Sequence, residues 1–458
     1  MWKGFNMKKY ELLAFDFDGT LFDTEETLFK AYQLAYFDLG FEITYEMFKK
    51  VKGFSVCDFN EIMGVKADIE KLKKLKSRYY AQFSTLAKPN KYLINLLKNY
   101  NSAIVTSAKL TDIQPLLKKY DLNPNYLVSQ EDVRKYKPAP DCYNILLEQS
   151  GFSCEKVLAF EDSRPGFVSA RTAGIDCVEI DSFQENCIKD MSGGSSSKTF
   201  LVLEKGNLLV KKFATGKDKE DLKLQWQWIE EHPGKNFVSS VKHEETKDSF
   251  SYYMEYYFAP NLHKYINKIH ILPKVAELLS QLSKGATSSM NKEDIRKEMF
   301  NNYIEQASLL TNKEILIHLN EIPEFVNNFR ITSHHGDSTF ENILINRDES
   351  IMFIDPVPYR NIIHGIVHDF SKLGQSLCGY ENIRDGIETK YLIEKNIFNE
   401  LSKKYLTEDE YKSLKFYTAC LYLRRMKYQV IQNYDLVEPY YNIAKKLFEE
   451  FKCENYEW

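Results

Sequence analysis

Leu12-Leu13-Ala14-Phe15-Asp16-Phe17-Asp18-Gly19-Thr20 is an apolar run that ends in two aspartates, a glycine and a threonine. A short, uniformly apolar run fits a strand of a parallel sheet buried on both faces. Such strands deliver polar residues to the C-terminal edge of the sheet, where open α/β folds bind their ligands. Positions i and i+2 of a strand share a face, so Asp16 and Asp18 look into one crevice. Two carboxylates at such an edge invite a magnesium ion and a phosphate.

Further along, Ala103-Ile104-Val105 is a second short strand that ends in Thr106-Ser107, where the Thr106 hydroxyl can bind a phosphate oxygen. Lys137 stands in Lys137-Pro138-Ala139-Pro140-Asp141 just before a predicted helix, with its ammonium available to neutralise phosphoryl charge. Val157-Leu158-Ala159-Phe160 is another buried-strand run, followed by Glu161-Asp162-Ser163 and a helical segment from Gly166 to Gly174. In this order, the four motifs resemble those of the haloacid dehalogenase superfamily over residues 8 to about 183. The resemblance implies a Rossmann-like parallel sheet in which Asp16 attacks phosphorus to give an aspartyl phosphate. It makes Asp18 the acid that protonates the leaving alcohol and then the base that activates water. Asp162, with Glu161 nearby, would complete a Mg2+ site begun by Asp16 and the main-chain carbonyl of Asp18. Dehalogenases proper lack the second aspartate, so Asp18 favours phosphate chemistry; a phosphomutase of the phosphoglucomutase type shares the motifs and stays open. Helical periodicity from Glu25 to Tyr36 and beyond resembles the superfamily's helical cap (about 24–88), which closes over small substrates.

The second half has a different grammar. Ser192-Gly193-Gly194-Ser195-Ser196-Ser197 precedes the predicted strand Thr199-Phe200-Leu201-Val202-Leu203-Glu204, a turn at Lys205-Gly206-Asn207, and the returning strand Leu208-Leu209-Val210-Lys211-Lys212-Phe213. A plain linker with an exposed hairpin is one reading. The other is a phosphate-covering loop, with Ser195 and Ser196 at its tip and Lys211 holding the phosphates of ATP. Lys212 is the alternative to Lys211, because adjacent strand residues face opposite ways. The following helix offers Glu220, Gln225, Glu230 and Glu231 as partners for that lysine without an obvious choice. An aromatic strand from Ser251 to Phe258, with Glu255 and Tyr257 near its end, stands where a hinge would bind adenine.

His335-Gly336-Asp337, Asn342 and Asp355 complete the pattern. This half resembles the aminoglycoside phosphotransferase and choline kinase family. That likeness implies a protein-kinase-like bilobal α+β domain, with a small lobe at about 185–260 and a large helical lobe at about 261–458. It makes Asp337 the base for an acceptor hydroxyl, Asn342 and Asp355 the holders of Mg2+ on ATP, and Asp369 a brace for the catalytic loop. The four histidines His334, His335, His364 and His368 lack zinc-like spacing and read as structural.

The chain has 458 residues, a net charge of −4 and a pI near 6.2, which gives no global basic field for nucleic acid or an anionic membrane. Its eight cysteines are scattered without close pairs, and no apolar run reaches the ~18 residues of a membrane span. The expectation is a cytoplasmic enzyme of two domains, 1–184 and 185–458, acting on small molecules and using Mg2+ and ATP; its oligomeric state is not legible. Adding and removing phosphate at one position would only consume ATP. The two activities are therefore expected at different positions, as in the making of sugar-phosphate precursors for surface polysaccharide; the alternatives for the second half are a choline- or aminoglycoside-type kinase and a regulatory pseudokinase.

Overall fold

A computed structural model describes residues 9–51, 56–181, 183, 187–192, 197–204, 206–234, 236–265, 268–284, 295–346, 348–358, 362–387 and 391–458. The tip residues Ser195 and Ser196 lie outside them, as does most of the polar stretch from Lys284 to Ser289. The described residues fall into two compact units, one running from residue 9 to residue 192 with Lys198–Lys211, the other being Ser197 with Lys212–Trp458.

The first unit is built on five parallel strands: β1 (Leu12–Phe15), β2 (Ser102–Val105), β3 (Tyr126–Val128), β4 (Val157–Glu161) and β5 (Asp176–Glu179), in the spatial order β3-β2-β1-β4-β5. Every residue of β1, β2 and β4 is buried, as expected of a sheet covered on both faces. Phe15 and Phe160 stack across β1 and β4 with centroids 4.9 Å apart. The order places β1 and β4 side by side, so the residues that follow them emerge at one edge.

After β1 come the helices α1 (Glu25–Asp38), α2 (Tyr45–Val51), α3 (Val56–Met63) and α4 (Ile69–Phe83), and a further helix, Lys91–Asn99, leads into β2. Helices α1 to α4 have their own apolar core of Tyr32, Ala35, Tyr36, Phe48, Val51 and Leu72. Asp68 starts α4 by accepting the N–H groups of Glu70 and Lys71 at 3.1 Å, a cap that contributes about 1 kcal/mol. The buried ion pair Lys76–Asp112 (3.1 Å) ties α4 to the helix Leu110–Lys119 beside the sheet.

The second unit contains antiparallel sheet and many helices. Strands Ser240–Glu245 and Ser249–Glu255 pair antiparallel, and the helix Asp218–Glu231 precedes them. Strands Ile343–Ile345 and Ile351–Phe353 form a separate antiparallel ribbon. The helical core gathers around Glu408–Gln432, which is buried continuously from Ser413 to Leu423 and therefore lies inside the unit rather than on its surface. Thr407 and Glu410 cap its start reciprocally, and Arg330 forks onto Glu410 at 2.6 to 3.1 Å. The seven cysteines whose side chains are described are all free, and among the described residues no helix is long and apolar enough to cross a membrane.

Candidate functional site

In the first unit, the sheet edge gathers the residues singled out by the motifs. Asp16 follows β1 and is 7 % exposed. Lys137 is buried among three oxygens, donating to Asp16 Oδ1 at 2.7 Å, Glu161 Oε1 at 2.7 Å and the Val105 carbonyl at 2.9 Å. Tyr143, on the helix Asp141–Ser150, donates its hydroxyl to the same Glu161 oxygen at 2.6 Å. Thr106 is buried at the end of β2, where its hydroxyl accepts the Ala108 N–H at 3.0 Å. Asp18 Oδ1 accepts the hydroxyl of Tyr80 from helix α4 at 2.8 Å. Gly19 is required here: its φ of +86° favours glycine, and a Cβ would stand 2.0 Å from Asp162 Oδ2.

Asp16, Glu161 and Asp162 each bring one oxygen within 4.8 Å of the others. Glu161 Oε2 is buried with no hydrogen-bond partner, an orphaned anionic oxygen of the kind a cation satisfies. A hard, oxygen-only donor set of this size fits magnesium. Charge counting agrees, since three carboxylates face one ammonium. Burial pushes the Asp16 carboxyl up to about 7, with Glu161 adding to the rise and Lys137 opposing it. Glu161 is also raised, chiefly by burial, again against Lys137. The Lys137 ammonium is held charged, its own burial being outweighed by Asp16 and Glu161. Both carboxyls are thus biased toward protonation, a bias that a divalent cation would oppose.

Sequence reasoning named Asp16, Asp18, Thr106, Lys137 and Asp162, with Glu161 nearby, but neither Tyr80 nor Tyr143. Tyr143 was within reach, because it lies six positions after Lys137 on the helix that the prolines start. Tyr80 carried no local signal, since its hydroxyl meets Asp18 only through the packing of α4.

The second unit gathers a different polar cluster. The Asp369 carboxylate accepts the His335 and Gly336 N–H groups, both at 2.8 Å, and the Ser338 hydroxyl at 3.3 Å. Burial raises the Asp369 carboxyl to about 7 against these donors. Gly336 has φ +82°, and a Cβ there would meet the Val357 carbonyl oxygen at 2.4 Å. The Asn342 amide holds Asp337 through its carbonyl at 2.9 Å and its Oδ2 at 3.0 Å. Lys372 reaches Asp337 Oδ1 at 3.0 Å. Burial works to raise the Asp337 carboxyl, but Lys372 outweighs it and holds the group below the usual carboxylate range.

Lys212, buried on the strand Asn207–Thr215, forms the ion pair with Asp355. Of the two lysines that the sequence offers, Lys211 and Lys212, strand alternation turns Lys212 toward Asp355. Gln225 takes the place sought among the helix residues. Its amide donates to Asp355 Oδ1 and to the Pro356 carbonyl, both at 2.6 Å, while its Oε1 accepts the Tyr252 hydroxyl at 2.9 Å. An amide in that position donates to Asp355, where a glutamate would have repelled it. Glu255 and Tyr257 bond each other at 3.2 Å near the strand end. Burial lowers His334 to about 3 and His335 to about 4, so both are neutral. The rings of His334 and His364 pack edge to face at 5.2 Å, and among the described residues the only cluster with metal-ligand geometry is Asp16, Glu161 and Asp162.

Residues 13–180 match the family described as haloacid dehalogenase-like hydrolase. A phosphorylated carbohydrates phosphatase of Thermotoga maritima is 30 % identical over 180 residues, spanning 37 % of this chain and 83 % of the relative. Fructose-1-phosphate phosphatase YqaB of Escherichia coli is 25 % identical over 191 residues, 38 % of this chain and 97 % of the relative. The solved structure of CbbY from Rhodobacter sphaeroides in complex with phosphate is 20 % identical with a TM-score of 0.32, covering 40 % of this chain and 91 % of that one.

Proposed function

Because this chain belongs, through residues 13–180, to the haloacid dehalogenase-like hydrolases, we propose that its first unit hydrolyses the phosphomonoester of a small phosphorylated sugar or polyol. The observation that carries this reading is the convergence of Asp16, Lys137, Glu161 and Asp162, with an oxygen-only cluster beside an aspartate that can act as nucleophile. Two relatives named for phosphorylated carbohydrates and fructose 1-phosphate support the substrate class.

The contacts support a role for each residue. Asp16 attacks phosphorus with its free oxygen while Lys137 steadies the other and screens phosphoryl charge. Tyr143 and Lys137 fix Glu161, so the acidic group keeps its shape. Asp18, oriented by Tyr80, protonates the leaving alcohol and then takes a proton from water. Asp16, Glu161, Asp162 and the Asp18 carbonyl would hold Mg2+, which offsets the charge of the phosphoryl group during transfer.

A second reading applies to the other unit, favoured by the meeting of Asp337, Asn342, Asp355 and Lys212 on one braced loop system. There Asp337 would take the proton of a small-molecule hydroxyl while Lys212, Asn342 and Asp355 bind Mg-ATP. Ser195 and Ser196, with Glu255 and Tyr257, remain proposed nucleotide contacts. The pathway, a relocation of phosphate in surface-polysaccharide precursor synthesis, rests on metabolic economy alone.

The test is a panel of sugar and polyol phosphates with Mg2+, following phosphate release by wild type and Asp16→Asn, with ADP formation from Mg-ATP followed for wild type and Asp337→Asn. The expected result is phosphate release that disappears in Asp16→Asn while ADP formation persists. Transfer of phosphate within the substrate, without release, would make the first unit a phosphomutase. Undiminished release by Asp16→Asn would overturn the assignment.

A further inference from the structure

The surroundings of Asp337 are lopsided in charge. Lys372 stands on the helix Ile366–Leu377 with its ammonium 3.0 Å from Asp337 Oδ1. The helix Glu408–Gln432 lies against it, because the Tyr422 hydroxyl donates to the Gln375 carbonyl at 2.7 Å and the Thr418 hydroxyl to the Ser371 carbonyl at 3.4 Å. One turn beyond Tyr422 is Arg425, whose guanidinium sits 5.8 Å from the ring of buried Tyr380 and 6.0 Å from that of Tyr428. Its Nε is buried without a hydrogen-bond partner, and among the described residues it makes ring contacts but no ion pair. Its field nonetheless reaches Asp337, adding to that of Lys372.

The nearby acids are already engaged. Glu341 pairs with Arg384 at 2.7 Å, and Asp385 with Arg384 at 3.0 Å and His263 at 3.1 Å. Glu381 accepts the Ser376 hydroxyl at 2.7 Å, and burial pushes its carboxyl up to about 7. An unsatisfied guanidinium N–H in a buried setting costs stability unless a ligand completes it. A quaternary ammonium or aminoglycoside acceptor would meet repulsion from Arg425, whose charge, unlike that of Lys372, no carboxylate among the described residues pairs.

We propose that Arg425, together with Lys372, forms a subsite for an anionic group of the acceptor, so that the molecule presenting its hydroxyl to Asp337 already carries a phosphate monoester. This rests on the reading of Asp337 as the base of an ATP-dependent transfer. Two cations match a dianionic phosphate better than a singly charged carboxylate, and the arginine fork suits phosphate oxygens. In the transfer, the acceptor oxygen bonds to the γ-phosphorus, the bond from that phosphorus to the β–γ bridging oxygen breaks, the hydroxyl proton passes to Asp337, and ADP leaves. The product bears two phosphates, and one of them is a substrate of the class proposed for the first unit. Phosphorylation then comes before hydrolysis.

The test uses full-length protein carrying Asp16→Asn, so that the acceptor keeps its phosphate, and measures ADP formation from Mg-ATP with glucose, glucose 1-phosphate, glucose 6-phosphate, glycerol, glycerol 3-phosphate, gluconate and choline. A phosphorylated member is expected to be the preferred acceptor, and adding Arg425→Gln should raise its KM by about 10-fold or more, the usual scale for losing a charge-assisted hydrogen bond. The change should fall on KM for the phosphorylated acceptor more than on its kcat or on the rates with unphosphorylated acceptors, and Arg425→Lys should give an intermediate KM. If Arg425→Gln loses its cooperative melt, Arg425→Lys alone decides, and an unchanged KM overturns the subsite. Preference for choline, gluconate or an unphosphorylated polyol also overturns it while leaving the transfer reading intact. No ADP above the Asp337→Asn level with any acceptor overturns that reading, and the subsite with it.

Discussion

Each unit of this chain sets a lysine against an aspartate, yet the two pairs are electrostatic opposites. Lys137 meets Asp16 at 2.7 Å inside a cluster with two further carboxylates, and the Asp16 carboxyl rises to about 7. Lys372 meets Asp337 at 3.0 Å with Arg425 in the background, and the Asp337 carboxyl falls below its ordinary range. Asp16 is buried while 28 % of the Asp337 side chain is exposed, so desolvation weighs more on Asp16, and the balance of neighbouring charge adds to the difference. On the proposed function, an acid surplus would need a cation before its aspartate could act as a nucleophile. A base surplus lowers its aspartate and, on the proposed reading, would leave charge over for an anionic substrate.

The largest effect follows from the surplus of acid. Chelation should abolish phosphate release, with recovery on adding Mg2+, and Asp162→Asn should raise the Mg2+ needed for half-maximal rate by at least about 10-fold. Release that continues in excess chelator would remove the metal from the account and with it half of the contrast.

The next effect is on stability, and the two sites should have opposite signs. A carboxyl whose pKa is raised on folding contributes stability below its unfolded value, and that contribution disappears as pH climbs through about 7. Metal-free wild type should therefore lose melting temperature relative to Asp16→Asn between pH 5 and 8, and Mg2+ should reverse the loss in wild type. A carboxyl whose pKa is lowered on folding contributes stability above its unfolded value, and acidification removes it. Wild type should accordingly gain on Asp337→Asn as pH rises from 3 to 5. Parallel trends in the two variants, read by calorimetry, would break the comparison.

The smallest effect concerns Tyr80. Tyr80→Phe removes one hydrogen bond to Asp18 and should lower kcat for phosphate release about 3- to 10-fold, with little change in KM or in ADP formation. A rate equal to wild type would make the tyrosine a packing residue only.

These sites were legible in the sequence to unequal depth. Asp16, Thr106 and Glu161-Asp162 could be read because each lies at or just beyond the end of a strand, and strand order in a parallel sheet brings such ends together. Lys137 could be placed by the prolines that lead into its helix. The choice between Lys211 and Lys212 turned on strand parity, which a sequence leaves open until one face is known to be buried. Gln225 was among four helix candidates, and only the packing of Asp218–Glu231 turned it onto Asp355. Tyr80, Lys372 and Arg425 had no local signal at all, because each reaches its aspartate from a helix remote in sequence. Fold-level pattern is local and periodic; the charge balance that gives each aspartate its task is tertiary.

The central claim is that Asp16 is the residue that becomes phosphorylated. Acid-quenching the Mg2+-loaded enzyme during turnover of a sugar phosphate, then mapping covalent phosphate by mass spectrometry, should find it on the peptide containing Asp16, and Asp16→Asn should carry none. Covalent phosphate on another residue, or an unmodified Asp16 peptide under conditions that trap phosphate elsewhere in the chain, would contradict the account.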